Sequence, residues 1–344
     1  MTQRADHAVD VPESTESWAS GGGARGATRR HVEFLASVRD STYVGLVTVV
    51  VALVAFFVIT EPLFSSGDNV QNLMRQGAAL AILAVGQAFV ILIGGIDISV
   101  GAQVSLVSIF AVDLAGSLPL PLALAIAVLA GCSVGLINGL LVTRARISPI
   151  VATIATWQLL IGFNLIYTQT QPKQDFSEEY RWLGGSNVAF LPTPALLAII
   201  VGAVAWVVLT RMRFGRYVYA IGGNREAARL SGINVNRVVL LSYVLCSLFA
   251  AVAGLVLSSR VGSGSADLGL GLEITAIAAV FIGGVAWGGG AGSVIGVILG
   301  VVLLAVLSNG LDLAGTDSNV KTVMTGALML VAVGLNNIRR RDRG

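Results

Sequence analysis

Long apolar segments follow one another along most of this chain, and they restrict it to a small set of folds. A helix that crosses the hydrocarbon core of a membrane needs about 20 apolar residues. Ten segments approach that length, at residues 43–60, 73–95, 98–115, 121–142, 149–168, 193–210, 238–258, 272–287, 293–308 and 321–337. Only 12% of the residues are charged, whereas soluble domains carry about 25%. The sequence predicts an all-α polytopic membrane protein with about ten transmembrane helices.

Three of these segments, 98–115, 272–287 and 293–308, are short or interrupted by glycine. Irregular backbone at membrane depth is tolerated only where it is buried in protein or lines a cavity. We therefore expect broken helices at these three places. The runs VILIGGIDISVG (90–101) and AVFIGGVAWGGG (279–290) also share Ile-Gly-Gly after an apolar stretch, a weak internal repeat of the kind that transporter folds contain.

The basic residues indicate the orientation of the chain, because cytoplasmic loops are enriched in Lys and Arg. If both termini are cytoplasmic, 17 of the 22 basic residues fall on that side. They are Arg4, Arg25, Arg29, Arg30, Arg39, Arg144, Arg146, Arg211, Arg213, Arg216, Arg225, Arg229, Arg237, Arg339, Arg340, Arg341 and Arg343. We expect a flexible cytoplasmic tail at 1–40, a transmembrane domain at 41–338 with a cytoplasmic loop at 211–237, and a basic cytoplasmic tail at 339–344.

The loop at 211–237 is one of the few long polar interruptions, and it holds six arginines and the single acid Glu226. Near its middle, Asn224 suits the N-cap of a short helix, Glu226 its first turn and Gly232 its end. A helix this short is marginal alone in water. We expect it to dock against a partner.

Asp97, in GGIDISVG, is the most conspicuous acid inside an apolar region. A carboxylate at the centre of a bilayer costs at least ~2.5 kcal/mol on insertion scales. In one interpretation, the chain break at Gly94 and Gly95 joins Asp97 and Ser99 in a polar pocket or gate on a transport path. In the other, Asp97 caps the next helix, while Ser99 and the glycines satisfy the break. Both can hold at once.

Other polar residues of the apolar segments are weaker candidates for a path. Amides in spanning helices usually hydrogen-bond to neighbouring helices, and we expect Gln87 and Asn164 to be among the minority that touch a substrate. Glu273 lies one residue into an apolar segment. It is our further candidate for the path, although acids near the ends of spans are commonly solvated loop residues.

The sequence gives no sign of catalysis or of a nucleotide site. The run Gly288–Gly292 lacks the Lys-Ser/Thr ending that a phosphate-binding loop requires, so a tight turn is the better interpretation. Both histidines, His7 and His31, precede the first apolar segment, and no metal-ligand spacing or Ser-His-Asp set is present. We predict no catalytic residues, no metal site, no cofactor bound by this chain and no nucleic-acid partner.

Several motifs resemble permease subunits of bacterial ABC importers. EAARLSG (226–232) is similar to the Glu-Ala-Ala-x-x-x-Gly core of their cytoplasmic loop, and GGIDISVG (94–101) resembles a stretch of the ribose/xylose/arabinose branch. YAIGGNREAARLSGINVNR, AIAAVFIGGVAWGGGAGSVIG and LSNGLDLAG resemble that branch in the same order, so the resemblance covers roughly 43–337. Val285-Ala286-Trp287 departs from it, because the branch more often has small polar residues there.

The resemblance implies a multi-pass inner-membrane permease that imports a monosaccharide by alternating access. Its implied partners are a second permease copy, a separate ABC ATPase subunit that carries ATP and Mg, an external sugar-binding protein and membrane lipid. The residues implied to contact the ATPase, as a coupling helix, are Asn224, Glu226, Ala227, Ala228 and Gly232. The alternative is an ion-coupled secondary transporter of a small polar solute, with Asp97 and Glu273 as coupling acids. A membrane-embedded enzyme is disfavoured.

Overall fold

The computed structural model describes residues 42–174 and 178–341, and in that part of the chain it has thirteen helices and four two-residue strands. The helices are α1 (Thr42–Thr60), α2 (Gly67–Leu92), α3 (Val100–Ala115), α4 (Leu120–Thr143), α5 (Pro149–Thr168), α6 (Glu178–Gly185), α7 (Thr193–Arg211), α8 (Arg213–Gly223), α9 (Arg225–Leu230), α10 (Val235–Val261), α11 (Leu272–Ile282), α12 (Val294–Leu313) and α13 (Ser318–Arg341). The strands are β1 (Lys173–Gln174), β2 (Asn187–Val188), β3 (Leu191–Pro192) and β4 (Ser263–Gly264). The tail predicted at 1–40 lies outside the described residues.

Each of the ten predicted segments coincides with a helix, and seven of these helices are long and apolar enough to cross a membrane. The seven are α1, α2, α4, α5, α7, α10 and α12. Helices α3 and α11 are apolar but shorter. The chain is therefore a predominantly helical, polytopic membrane protein. Helix α13 continues to Arg341 and so includes the first three residues of the predicted basic tail.

Helices α2 and α10 form the centre of the bundle. Every residue of α2 from Ala78 to Leu92 is buried, and α10 packs mainly against α2, α3 and α4. Helix α2 also packs against α7, α11 and α12. A helix that is apolar all round belongs in the interior of a large or membrane-embedded core. The polar side chains within the buried stretches, such as Gln87 in α2 and Ser242 and Ser247 in α10, are therefore enclosed by protein.

Helix α3 is continuous over 16 residues, so the break expected within 98–115 is absent. Helix α12 contradicts the expectation of a break at 293–308 in the same way, because it is a continuous helix of 20 residues. Two of its glycines, Gly296 and Gly300, serve close packing against α11. A β-carbon at Gly300 would collide with the carbonyl oxygen of Ala279, and one at Gly283 would collide with the backbone of Gly296. Small residues let helix backbones approach closely inside a membrane, so glycine here indicates contact rather than interruption.

The predicted breaks after α2 and α11 are both present, and both helices end in the same way. At the first, Gly94 has φ +80°, its N–H donates to the carbonyl of Ile91 at 2.9 Å, and Gly95 N–H donates to Val90 at 2.9 Å. This pair of bonds is the Schellman motif, in which a left-handed residue ends a helix and satisfies its last carbonyls.

The second break repeats this motif one position later. Gly284, the second glycine of its Ile-Gly-Gly, has φ +85°, and its N–H donates to Phe281 at 3.0 Å while Val285 N–H donates to Val280 at 3.2 Å. In the first break the left-handed residue is the first glycine. The two Ile-Gly-Gly runs thus end helices alike but are one residue out of register.

Two helices of the polar regions were missed by sequence reasoning. Helix α6 lies between α5 and α7, together with β1, β2 and β3. Strand β2 pairs antiparallel with β3, and β1 pairs antiparallel with β4, which follows α10. Helix α8 buries Gly215, Val218 and Ile221, which recur every three residues and form one helical face. Its arginines made this stretch resemble a loop.

Candidate functional site

The N-terminus of α9 is capped as the sequence predicts. Asn224 has extended backbone angles, and its Oδ1 accepts a hydrogen bond from the Ala227 N–H at 2.9 Å. Such a cap satisfies one of the N–H groups that the first turn of a helix leaves unpaired. Gly222 and Gly223, which precede this cap, are the last residues of α8.

The C-terminus of α9 forms a third Schellman motif. The Ile233 N–H donates to the Ala228 carbonyl at 3.1 Å, and the Gly232 N–H donates to the Arg229 carbonyl at 3.0 Å. Gly232 has φ +83° and has open space where a β-carbon would stand, so the backbone angle alone favours glycine. Capping at both ends defines a six-residue helix that has little intrinsic stability of its own.

The faces of α9 differ sharply in exposure. Ala228 is buried against the body of the protein, whereas Glu226 and Arg229 are exposed and form an ion pair at 3.3 Å. Leu230 is 79% exposed. Sequence reasoning missed Leu230, and the available signal was a large apolar residue at the end of a capped helix in an arginine-rich loop.

Helix α8 connects α9 to both helix breaks through backbone contacts. A β-carbon at Gly222 would collide with the Leu92 carbonyl at the end of α2 and with the Gly290 N–H. Gly290 N–H itself donates to Leu92 at 2.9 Å, and Tyr219 Oη donates to the Gly292 carbonyl at 3.0 Å. We call this contact, made by Leu92, Gly222 and Gly290, the glycine junction. The run 288–292 forms the predicted turn.

Asp97 follows this junction and is completely buried. Its Oδ1 accepts hydrogen bonds from the Ser99 N–H at 2.9 Å and from the Ser99 hydroxyl at 2.6 Å. These bonds form a local turn that holds the chain just before α3, whose N-cap residue is Ser99. The carboxylate points into protein, and its bonding partners in the described part of the chain are neutral.

A network of side chains extends from Ser99 into three helices. The Ser99 hydroxyl accepts from Gln103 Nε2 at 2.6 Å and from Asn138 Nδ2 at 2.8 Å. Thr156 in α5 donates to Asn138 Oδ1 at 2.7 Å. All of these side chains are buried, so the network joins α3, α4 and α5 to Asp97. Sequence reasoning missed Gln103, Asn138 and Thr156 as members of this site, because spacing along the chain carries no information about which amides meet.

The remaining predicted path residues are dispersed. Asn164 Nδ2 donates to the Ala102 carbonyl at 3.1 Å and so joins α5 to α3. Gln87 accepts a bond from the Cys246 thiol at 3.4 Å, between α2 and α10. Glu273 Oε2 accepts from the Gly271 N–H at 3.0 Å.

Two of these three lie against the first turn of α3, because Asn164 bonds to Ala102 there and Glu273 approaches Gly101. A β-carbon at Gly101, in the first turn of α3, would collide with the Glu273 carboxylate. The structure therefore brings Asp97, Ser99 and Glu273 to the start of α3, with Gly94 and Gly95 just before it. Gln87 and Asn164 are placed as ties between helices. Trp287, in the segment that departs from the ribose/xylose/arabinose pattern, is 59% exposed and stacks on Phe281 at 5.1 Å between ring centroids.

The sequence matches the family described as branched-chain amino acid transport system / permease component over residues 69–333. The chain belongs to this permease family. The ribose import permease protein RbsC of Escherichia coli strain K12 is 37% identical over 290 residues, which are 83% of this permease and 90% of that protein. RbsC of Bacillus subtilis strain 168 is 39% identical over 287 residues, 83% and 89% of the two chains.

A second group of relatives is named for a different sugar. The galactose/methyl galactoside import permease protein MglC of Escherichia coli strain K12 is 32% identical over 318 residues, which are 86% of this permease and 94% of that protein. No solved structure matches the permease. Family membership therefore rests on sequence similarity across nearly the whole described region, including both the α9 segment and the Asp97 network.

Proposed function

We propose that this chain is the membrane-spanning subunit of an ATP-driven ABC importer in the inner membrane of a bacterium. The observation that carries the proposal is α9, a short helix capped at both ends that displays Glu226, Arg229 and Leu230 to solvent. An exposed apolar side chain on an otherwise marginal helix suits a surface that another protein covers. The proposed contact residues are Asn224, Glu226, Ala227 and Gly232, to which we add Leu230. Ala228, which the resemblance also implied, is buried against the permease itself and holds α9 in place.

The proposed substrate is a monosaccharide, either a ribose-like pentose or a hexose. The relatives described above are named for ribose and for galactose or methyl galactoside import, whereas the family description names branched-chain amino acids. The sugar assignment follows the individual relatives, which are similar to this chain over more than four fifths of its length.

The proposed complex contains two copies of this permease, an ATPase subunit that binds and hydrolyses ATP with Mg, and an external sugar-binding protein. The chain has no Gly-x-x-x-x-Gly-Lys sequence, so its own residues provide no phosphate-binding loop of that kind. ATP hydrolysis is accordingly assigned to the partner. The domain boundaries are those given above, and membrane lipid surrounds the exposed apolar faces.

We infer that ten helices cross the membrane and that both termini are cytoplasmic. The distribution of Lys and Arg favours this orientation, and it puts α8, α9 and the link between α4 and α5 on one side. The glycine junction agrees with it, since the backbone at Leu92 and Gly290 touches the end of α8.

The proposed mechanism is alternating access driven by movement of α9. Motion of α9 and α8 would reach α2 and the turn 288–292 through the glycine junction, and the Asp97 network would carry it to α3, α4 and α5. The proposed translocation path involves Gly94, Gly95, Asp97, Ser99, Gln87, Asn164 and Glu273. Within this set we assign Asp97 and Ser99 to holding the start of α3, on the basis of their burial.

Reconstitution in proteoliposomes with the ATPase and the binding protein tests this function. We expect sugar uptake that requires ATP and the ATPase and that persists with an uncoupler. Glu226→Lys should abolish uptake while the protein remains inserted, because it sets a third positive charge beside Arg225 and Arg229, whereas Glu226→Gln should retain most of it. Uptake by the permease alone under an ion gradient would instead support the secondary-transporter alternative.

A further inference from the structure

A groove of about 770 Å³ lies beside α9, between two segments that are far apart in sequence. One wall comes from the end of α4 and the link to α5, residues 142–149, and the other comes from residues 225–236. Its volume lies within the roughly 300–1,000 Å³ of pockets that enclose small ligands. The groove therefore has room for several side chains of a partner.

The charges in the groove are unbalanced. Arg146, Arg225 and Arg229 line it together with one acid, Glu226. Glu226 already pairs with Arg229 at 3.3 Å. Within residues 42–174 and 178–341, Arg146 and Arg225 form no ion pair, and both are exposed. Two unpaired arginines facing a shared concave surface favour a ligand with negative charge.

Arg146 also has a backbone conformation that is unusual for its residue type. Its φ is +56°, a left-handed value that side chains other than Gly, Asn and Asp seldom adopt. Residues in such conformations cost on the order of 1–3 kcal/mol and cluster at functional sites. The chain keeps an arginine at this strained position in the wall of the groove.

The wall that contains Arg146 continues directly to the Asp97 network. Pro149 lines the groove and begins α5. One turn further along that helix, Thr153 donates to the Ile96 carbonyl at 3.2 Å, and Thr156 bonds to Asn138 as described above. A ligand seated in the groove would thus contact the end of the helix that holds the Asp97 link.

We propose that the groove receives an acidic segment of the ATPase subunit, so that the 142–149 link is a second docking element beside α9. The proposal rests on the function proposed above. The excess of arginine supplies the charge complementarity, and the groove is continuous with α9, since Arg225 and Arg229 belong to both. A partner that covers Leu230 would lie immediately next to it.

The test uses the full-length permease in nanodiscs and its purified ATPase subunit, with binding measured at increasing NaCl. Arg146→Glu should weaken binding about tenfold or more and reduce its dependence on salt, because an interfacial charge pair becomes a repulsion. Arg144→Glu is the matched control, since Arg144 is exposed on the same link but does not line the groove. It should change binding less than about twofold. Both variants should keep the wild-type melting temperature, because neither side chain has an ion-pair partner in the described structure to lose.

A photo-crosslinking amino acid at position 146 identifies the occupant. Crosslinks to an acidic stretch of the ATPase support the proposal. Crosslinks to phospholipid alone, or equal weakening of binding by the two variants, would overturn it. If the wild-type complex imports sugar with ATP while the two variants behave alike, only the groove assignment fails. If the wild-type permease does not bind the ATPase at all, the proposed importer function fails.

Discussion

Two short pieces of this molecule, α9 with its caps (224–233) and the link from α2 to α3 (90–99), are built from the same local chemistry. In each, a helix ends in a Schellman motif at a glycine, Gly232 or Gly94. In each, an Asn or Asp side chain accepts a bond from the backbone N–H of a helix start. They differ in surroundings, because Leu230 is 79% exposed while Asp97 is 0% exposed.

This difference in exposure distinguishes α9, which is a candidate contact surface, from residues 90–99, which form a buried structural link. At Asp97 the hydrogen bonds are buried and lead through Ser99 to Asn138 on another helix, and a buried donor left without its acceptor is costly. At α9 the caps maintain the helix, while Leu230 and the arginines remain available for a partner. We therefore expect changes in the link to act on stability and changes in α9 to act on assembly.

Asp97→Ala should have the largest effect. It removes the acceptor for the Ser99 N–H and hydroxyl, and two buried donors without an acceptor cost roughly 2–6 kcal/mol. We expect a lower melting temperature in detergent, poor yield and no transport. Fluorescence-detected size-exclusion chromatography after heating measures the first two.

Asp97→Asn is the matched control for this prediction, because it keeps one oxygen that can accept both bonds from Ser99. It should retain a large part of the stability that Asp97→Ala loses. Normal yield, stability and uptake in Asp97→Ala would show that the buried network does not hold the start of α3. Residues 90–99 would then not differ from α9 in their importance for stability.

The glycine junction links the two regions, and Gly222→Ala tests it. The added methyl group would meet the Leu92 carbonyl and Gly290 N–H, and overpacking of this kind costs about 1–3 kcal/mol. We expect reduced uptake with the ATPase still bound, since α9 itself is untouched. ATPase binding and uptake are measured on the same proteoliposomes.

Gly223 is a neighbouring control with nothing within 4 Å of its β-carbon position. Gly223→Ala should be neutral or stabilise α8 by up to about 1 kcal/mol, through helix propensity. Equal loss of uptake in both variants would mean that the close backbone approach at Gly222 does not transmit motion from α8 to α2.

Leu230→Ala should change assembly and leave stability alone. Burial of a leucine in an interface contributes about 2 kcal/mol, so loss of most of the side chain should weaken ATPase binding roughly tenfold to thirtyfold. Leu129 in α4 is 67% exposed and serves as control, because it lies in a helix long and apolar enough to span the membrane. Unchanged binding in Leu230→Ala, or equal weakening by Leu129→Ala, would remove Leu230 from the contact surface.

Local signals explain what the sequence could predict. Apolar segments of span length gave all ten helix positions, and Asn224 and Gly232 gave both ends of α9, since capping depends on residues a few positions apart. Glycine was ambiguous. Gly94 ends a helix, whereas Gly300 lies within one and lets α12 pack closely against α11. Only the tertiary contacts distinguish these two uses of glycine.

Contacts between distant segments explain what the sequence could not predict. The partners of Ser99 are Gln103 on its own helix and Asn138 on another, and nothing in the spacing of residues 99 and 138 connects them. The groove beside α9 likewise joins Arg146 to Arg225 across about 80 residues of sequence. The exposure of Leu230 depends on how α8 and α10 position α9.

The prediction with the smallest expected effect asks whether the N-cap of α9 matters for assembly. Asn224→Ala removes the bond to the Ala227 N–H, and the loss of such a cap costs about 1 kcal/mol of helix stability. If α9 must be helical to dock, this cost corresponds to roughly fivefold weaker ATPase binding. Ser66→Ala removes a cap of α2, where Ser66 Oγ accepts from the Asn69 N–H at 3.3 Å, far from α9 in the sequence. Hydrogen exchange at the Ala227 amide should accelerate in Asn224→Ala and not in Ser66→Ala. If exchange accelerates in Asn224→Ala while binding stays at the wild-type value, α9 folds on its partner and its caps serve the free permease only.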